Sequence, residues 1–173
     1  MTARILVTYA SKYGSTTEIA NKIGEILNEA GLKVNVLPAD EVDDLTPYDA
    51  VVLGSAVYAG SWRKEAVKFL EEYRSALSKV PVWLFSSGPL GEGDPVALME
   101  GWRFPTAQQP IADRIHPRDI AFFHGQLDME KLNFAEKLII KGFKSPIGDF
   151  RDWDAITDWA ASIVGALQPE AVT

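Results

Sequence analysis

The sequence has no cysteine in its 173 residues. Disulfides, thiolate metal sites, thiol redox chemistry and cysteine nucleophiles are therefore excluded, and any redox chemistry has to come from a bound cofactor. Histidine is nearly as scarce, because the chain has only His116 and His124. Two isolated histidines do not form a metal-binding cluster. His124 follows a predicted strand, where a structural role and a role in proton transfer are both open.

Positive charge is also in short supply. The chain has 17 Lys and Arg against 24 Asp and Glu, and its net charge is -7. Nucleic-acid binding is disfavoured, because phosphate backbones require a basic surface. An acidic surface is typical of proteins that rely on charge for solubility, and it can steer a basic protein partner.

Long hydrophobic runs are missing as well. The apolar run near the start, residues 5–7, is too short for a signal peptide or a membrane span. We therefore expect a cytoplasmic protein. Hydrophobic residues make up 47% of the chain and charged residues 24%, which is ordinary globular composition. The length predicts one domain, residues 1–173.

Short apolar runs alternate with amphipathic segments along most of the chain. The runs predict five buried strands, at residues 5–9, 34–37, 50–54, 82–85 and 120–123. The segments between them carry apolar residues at helical spacing. This alternation predicts an α/β fold, a doubly wound five-stranded parallel sheet of flavodoxin-like order 2-1-3-4-5 with helices on both faces. Ligands of such sheets bind at the carboxyl ends of the strands, near the switch point between strands 1 and 3.

One segment, at about residues 125–150, exceeds what this fold needs. Its apolar residues are interleaved with lysines, which predicts a basic amphipathic helix over 129–144. Three roles remain open for this helix. It could contact an anionic membrane, bind an acidic apolar substrate, or pack on the sheet with its lysines in water.

The loop after the first predicted strand is rich in glycine and hydroxyl residues. It reads ASKYGSTTEIA over residues 10–20. Gly14 allows a tight turn, Ser11, Ser15, Thr16 and Thr17 offer hydroxyl donors, and Lys12 adds a positive charge. A loop that opens a helix exposes free N–H groups and favours an anion such as phosphate. The alternative is a capping box, in which Ser15 and Glu18 satisfy those N–H groups without a ligand.

Other phosphate-binding signatures are absent from the sequence. No Gly-Lys-Ser/Thr tripeptide occurs at the loop, so it is not a P-loop. Only Gly14 stands where a dinucleotide fingerprint requires three glycines. Strand 3 is followed by Gly54-Ser55 rather than by a phosphoacceptor aspartate.

The segment Tyr9 to Thr16 resembles the phosphate loop of flavodoxins, Ser/Thr-x-Thr-Gly-x-Thr, with Tyr13 and Ser15 as departures. This resemblance implies FMN as the cofactor. It also implies that the loop after strand 3 faces the isoalloxazine, with Tyr58 or Trp62 stacking on the ring. The loop after strand 4 would then meet its pyrimidine edge. The implied cofactor-binding residues are Ser11, Lys12, Tyr13, Gly14, Ser15, Thr16, Val57, Tyr58, Ala59, Gly60, Ser86, Ser87, Gly88 and Gly91.

The segment 125–150 and the closing Asp149-x-x-Asp152-Trp153 look similar to the flavodoxin-type, quinone-linked protoporphyrinogen oxidases. The similarity implies an FMN-dependent oxidoreductase that moves electrons from a small reduced substrate, such as protoporphyrinogen, to a quinone-type acceptor. It also implies peripheral membrane contact through the 129–144 helix. One alternative is a flavodoxin-like carrier that exchanges electrons with a protein partner. A second is a binding module that kept the fold without the cofactor.

Overall fold

The computed structural model describes residues 2–143 and 145–168. Its strands are β1 (Arg4–Ala10), β2 (Lys33–Pro38), β3 (Ala50–Tyr58), β4 (Ser61–Trp62), β5 (Val82–Ser87), β6 (Asp119–Phe123), β7 (Gln126–Leu127) and β8 (Gly148–Asp149). Its α-helices are α1 (Ser15–Glu29), α2 (Lys64–Leu77), α3 (Pro95–Leu98), α4 (Gln109–Ile115), α5 (Phe134–Phe143) and α6 (Trp153–Leu167).

The main sheet is parallel and has the predicted order. Its strands run β2-β1-β3-β5-β6, and β4 pairs antiparallel with the end of β3. In order of appearance the five parallel strands are arranged 2-1-3-4-5, which confirms the doubly wound prediction. The switch point lies between β1 and β3, where Tyr9 pairs with Gly54 and Ala10 with Ser55.

Alternating side chains of each strand supply two separate cores. On one face, Ile5 and Val7 of β1 pack with α1 and α6. On the other face, Leu6 packs with α2 and α4. Because successive strand residues point to opposite faces, one apolar run fills both layers. The helices therefore cover both faces, as predicted.

Gly54 allows the closest packing within the sheet. A Cβ at this position would lie 2.0 Å from Cζ of Phe85 on the neighbouring strand. The ring of Phe85 is fully buried and packs against Phe123 and Trp159. Glycine is therefore required here by space, in the middle of the sheet that positions the loops.

The segment between β6 and α6 lies outside the main sheet. It begins with β7 and ends with β8, which pair antiparallel through Gln126 with Asp149 and Leu127 with Gly148. We call residues 125–150 the insert. Its predicted 129–144 helix is too long, because residues 129–131 form a separate 3-10 turn and α5 begins at Phe134. Lys144, at the predicted end, lies outside the described residues.

Candidate functional site

The loop after β1 makes a tight left-handed turn into α1. Gly14 occupies the N-cap position with φ 93°, a conformation that favours glycine. Its N–H donates to Oγ of Ser11 at 3.0 Å, which closes the loop. No side chain of the described residues caps α1. The first-turn N–H groups therefore point to a ligand or to water.

The capping-box alternative is wrong. Glu18 does not reach back to the helix start, and instead accepts a hydrogen bond from Nη1 of Arg151 in the segment that follows the insert. Arg151 also donates to the carbonyl oxygen of Ser15 at 3.2 Å and to Asp149. Because Glu18 pairs with Arg151, it does not cap the helix, and the N-terminus of α1 stays available to an anion.

Two buried hydroxyls at this edge of the sheet have no partner among the described residues. They are Oγ1 of Thr16, in the first turn of α1, and Oγ of Ser87, at the end of β5. Buried hydroxyls are normally hydrogen-bonded, so a free one indicates a partner that a ligand or water supplies. Both belong to the predicted cofactor set, and they fit a phosphate and a polar ring edge.

The loop after β3 is a hairpin with two left-handed residues. Ala59 and Gly60 have φ values of 51° and 75° and connect Tyr58 to Ser61. The turn leaves the Tyr58 side chain 42% exposed, with its ring edge-on to Tyr13 at 6.4 Å between centroids. Partial burial raises the pKa of Tyr58, so the phenol stays neutral. An exposed neutral aromatic ring at the switch point can stack on a flavin.

Trp62, the other aromatic candidate for stacking, is placed in the core. It is 5% exposed, its Nε1 donates to Oγ of Ser86 at 2.7 Å, and its ring packs edge-on against Phe104. The alternative in which Trp62 stacks on the flavin is therefore wrong. The Ser86 hydroxyl is occupied by the same contact and by the Arg103 carbonyl oxygen, so only the backbone of Ser86 remains for a cofactor.

The loops after β5 and β6 are pressed together. A Cβ on Gly125 would lie 3.0 Å from the carbonyl oxygen of Gly88, and the Gly88 N–H donates to the carbonyl oxygen of Phe123. His124 is buried, with Nδ1 3.0 Å from the Pro89 carbonyl oxygen and Nε2 2.5 Å from that of Gly93. This histidine therefore holds the 88–93 loop, which includes Gly91, in a structural role rather than facing a substrate.

Side chains of the insert contact the loop after β1. Glu136 accepts hydrogen bonds from Lys12 Nζ at 2.9 Å and from the Tyr13 hydroxyl. Lys131 Nζ donates to the Tyr13 carbonyl oxygen at 3.2 Å. Lys12 is thus paired with a carboxylate rather than free to bind an anion. Sequence patterns did not indicate Lys131, Glu136 or Arg151, because these contacts join residues more than 115 positions apart.

The α5 helix does not pack on the sheet. None of its residues is buried, and Phe134, Leu138, Ile139 and Phe143 are between 55% and 79% exposed. Packing of this helix on the sheet with its lysines in water was one of three open roles, and it is wrong. An apolar helix face exposed to this extent is typical of an interaction surface. We call these four side chains, which spread over about half of the helix circumference, the α5 apolar face.

Family comparison agrees with this geometry. A model described as "Flavodoxin domain" matches residues 6–154, and the chain belongs to that family. An archaeal flavodoxin structure superposes with a TM-score of 0.62 over 95% of this chain and 99% of its own, at 14% identity. FMN is therefore the cofactor that family membership assigns, and the free hydroxyls and open helix end described above fit it.

The curated relatives match only part of the chain. A probable flavodoxin 1 of Bacillus subtilis is 34% identical over 50% of this chain and 57% of its own length. An NAD(P)H dehydrogenase (quinone) of Rhodopseudomonas palustris is 27% identical over 40% and 46%. The protoporphyrinogen IX dehydrogenase [quinone] of Escherichia coli is 24% identical over 48% and 47%. The chain spans about half the length of the curated relatives it matches.

No helix within residues 2–143 and 145–168 is both long and apolar enough to cross a bilayer.

Proposed function

We propose that the protein is an FMN-dependent oxidoreductase that transfers electrons from a small reduced substrate to a quinone-type acceptor. The observation that carries the proposal is the α5 apolar face. It is exposed to solvent, and the helix that carries it is joined to the loop after β1 by the contacts of Glu136 with Lys12 and Tyr13.

The chemistry of this surface favours apolar, acidic or lipophilic molecules. Leu138 stands one helical turn beyond Phe134, so both lie on one side of α5. Lys137 and Lys141 add positive charge to the same helix of an otherwise acidic protein. A quinone matches the apolar side chains, and a porphyrinogen matches both the apolar side chains and the lysines, because it combines a large apolar ring with carboxylates.

The choice of electron partners draws on the relatives. Both dehydrogenases are named for quinone as acceptor, and the E. coli relative is named for protoporphyrinogen IX as substrate. When bound, FMN would supply the two-electron redox chemistry that links oxidation of the donor to reduction of the quinone. In this proposal Tyr58 and the 88–93 loop would hold the ring from its two sides.

Anaerobic turnover tests the proposal. The FMN-loaded protein is mixed with protoporphyrinogen and a water-soluble quinone analogue, and porphyrin fluorescence and quinone absorbance are followed together. We expect one quinone to be reduced for each two-electron oxidation. The double variant L138S/I139S should lower kcat/KM at least about fivefold, since two apolar contacts are lost. L98S, which replaces an exposed leucine outside the insert, should leave it unchanged.

A flavodoxin-like carrier is the second candidate, favoured by the 34% identity to the Bacillus subtilis flavodoxin. A carrier would show no turnover with porphyrinogen and quinone but fast one-electron exchange with a redox protein. A protein that gains no flavin absorbance in excess FMN would instead indicate a cofactor-free binding module.

We further propose that the α5 apolar face brings the protein to the surface of an anionic membrane, where quinones are dissolved. Apolar side chains enter the interface and lysines attract anionic lipid headgroups. Co-sedimentation with vesicles containing phosphatidylglycerol should exceed that with phosphatidylcholine alone, and L138S/I139S should abolish the difference. If the wild type and L138S/I139S sediment equally with the phosphatidylglycerol vesicles, membrane contact through α5 is contradicted.

A further inference from the structure

We propose that Lys131 of the insert supplies the cation for the cofactor phosphate, so that the insert is part of the FMN site as well as a surface for partners. The inference rests on the flavodoxin assignment of FMN and adds a ligand that lies outside the loops of the sheet.

The other cations near this loop already have carboxylate partners. Lys12 pairs with Glu136 at 2.9 Å, and Arg151 pairs with Glu18 and with Asp149. Lys131 differs from them, because its Nζ contacts the Tyr13 carbonyl oxygen and no carboxylate oxygen of the described residues lies within 4 Å of it. It is therefore the cation at this edge whose charge remains for a ligand.

The position of Lys131 is aimed at the helix end. Its Nζ is 4.0 Å from the point where a Cβ of Gly14 would stand. A narrow crevice between loop and insert, with room for about one water molecule, is lined by Tyr13, Ser15, Gln126 and Lys131. The flexible end of Lys131 therefore has to move aside to admit a phosphate. Asp128 also borders this crevice, but its carboxylate accepts from the Glu130 N–H at 3.0 Å and caps the 3-10 turn.

An ammonium group next to a helix N-terminus is electrostatically unfavourable on its own, because both carry positive charge. A phosphate placed between them reverses the sign of both interactions, since it carries nearly two negative charges at neutral pH. The buried hydroxyl of Thr16, in the first turn of α1, has no partner among the described residues, which is a second, independent indication of a polar ligand at this helix end. The negative charge of the phosphate then offsets the positive charges of Lys131 and of the helix N-terminus.

The test separates the phosphate from the flavin ring. The apoprotein is titrated with FMN and with riboflavin, which lacks the phosphate, and binding is followed by quenching of flavin fluorescence. K131M should weaken FMN binding about tenfold or more, the value expected for one charge-assisted hydrogen bond, and leave riboflavin binding unchanged. K131R should restore most of the FMN affinity, and K141M, which removes the same charge elsewhere on the insert, should have no such effect.

Two outcomes would overturn the inference. Equal weakening of FMN and riboflavin by K131M would indicate a structural role for the lysine, and equal effects of K131M and K141M would indicate a general charge effect. Inorganic phosphate should compete with FMN in the wild type and about tenfold less well in K131M. Failure of the proposed function is distinguishable, because it would appear as absent turnover in a wild-type protein that binds FMN normally.

Discussion

Replacing Gly14 by alanine should damage cofactor binding far more than folding, and Gly31 provides the matched control. Both glycines have left-handed backbones, with φ values of 93° and 95°, at opposite ends of α1. Neither position has a steric obstacle to a Cβ, because the nearest atom at Gly14 is the flexible end of Lys131 at 4.0 Å and none lies within 4 Å at Gly31.

The stability cost is therefore conformational and similar at the two sites. A left-handed alanine costs about 1–2 kcal/mol, and the stiffer unfolded chain returns about 0.4–1 kcal/mol. G14A and G31A should each lose about 1 kcal/mol, or about 2–4 °C in Tm, measured on apoprotein by urea and thermal unfolding. Apoprotein is required because bound FMN adds its own stabilisation.

The two variants should differ in cofactor affinity. The methyl group of G14A points toward the space between α1 and Lys131, where we propose that the phosphate binds, whereas that of G31A lies at the far end of the helix. We expect G14A to weaken FMN binding at least about tenfold while G31A binds like the wild type. Equal FMN affinity in both variants would refute the placement of the phosphate at this turn.

Three further predictions concern the sheet, the insert and the flavin ring. G54A should lower the free energy of unfolding by about 3 kcal/mol or more, because the added methyl group overpacks against Phe85. The double variant G54A/F85A should lose clearly less stability than the sum of the two single changes. Additive losses in urea unfolding would contradict the packing argument. A hydrogen bond from Arg151 holds the pKa of Asp149 below its usual 3.8, so the stabilisation is complete above about pH 5 and is lost as pH falls from about 4 through the folded pKa. D149N should flatten the fall of stability below about pH 4, and the matched control D43N should not. Y58S should weaken FMN and riboflavin binding by the same factor, about tenfold, because both ligands share the stacked ring, whereas Y58W should keep the affinity for both. A loss of affinity confined to FMN would show that Tyr58 does not contact the ring.

The sheet was predictable because its signals are local. Runs such as Ile5 to Tyr9 carry strand propensity in consecutive residues, and strand order follows from their alternation with helices. Gly14 was predictable as well, since glycine adopts a left-handed turn at the lowest cost. In contrast, Ser15 and Glu18 match a capping box by spacing, and no local pattern reveals that Arg151 takes Glu18 away.

The insert shows the other limit of prediction from sequence. Its alternation of apolar residues and lysines predicts an amphipathic helix correctly, but periodicity does not state what covers the apolar side. Lys131 was counted as one of several lysines in that pattern. Its distinct position depends on how Glu136 and Arg151 dock the insert onto the loop, which is a property of the folded chain.

The pairing of β7 with β8 has a consequence for how this chain can vary. Since Leu127 is paired with Gly148, their Cα atoms lie about 5 Å apart, a gap that one short turn can bridge. The twenty or so residues between them can therefore be replaced or extended without a change in the strand register of the main sheet. Shortening this segment would leave the flavodoxin domain intact and remove in one step both the exposed apolar side chains of α5 and Lys131.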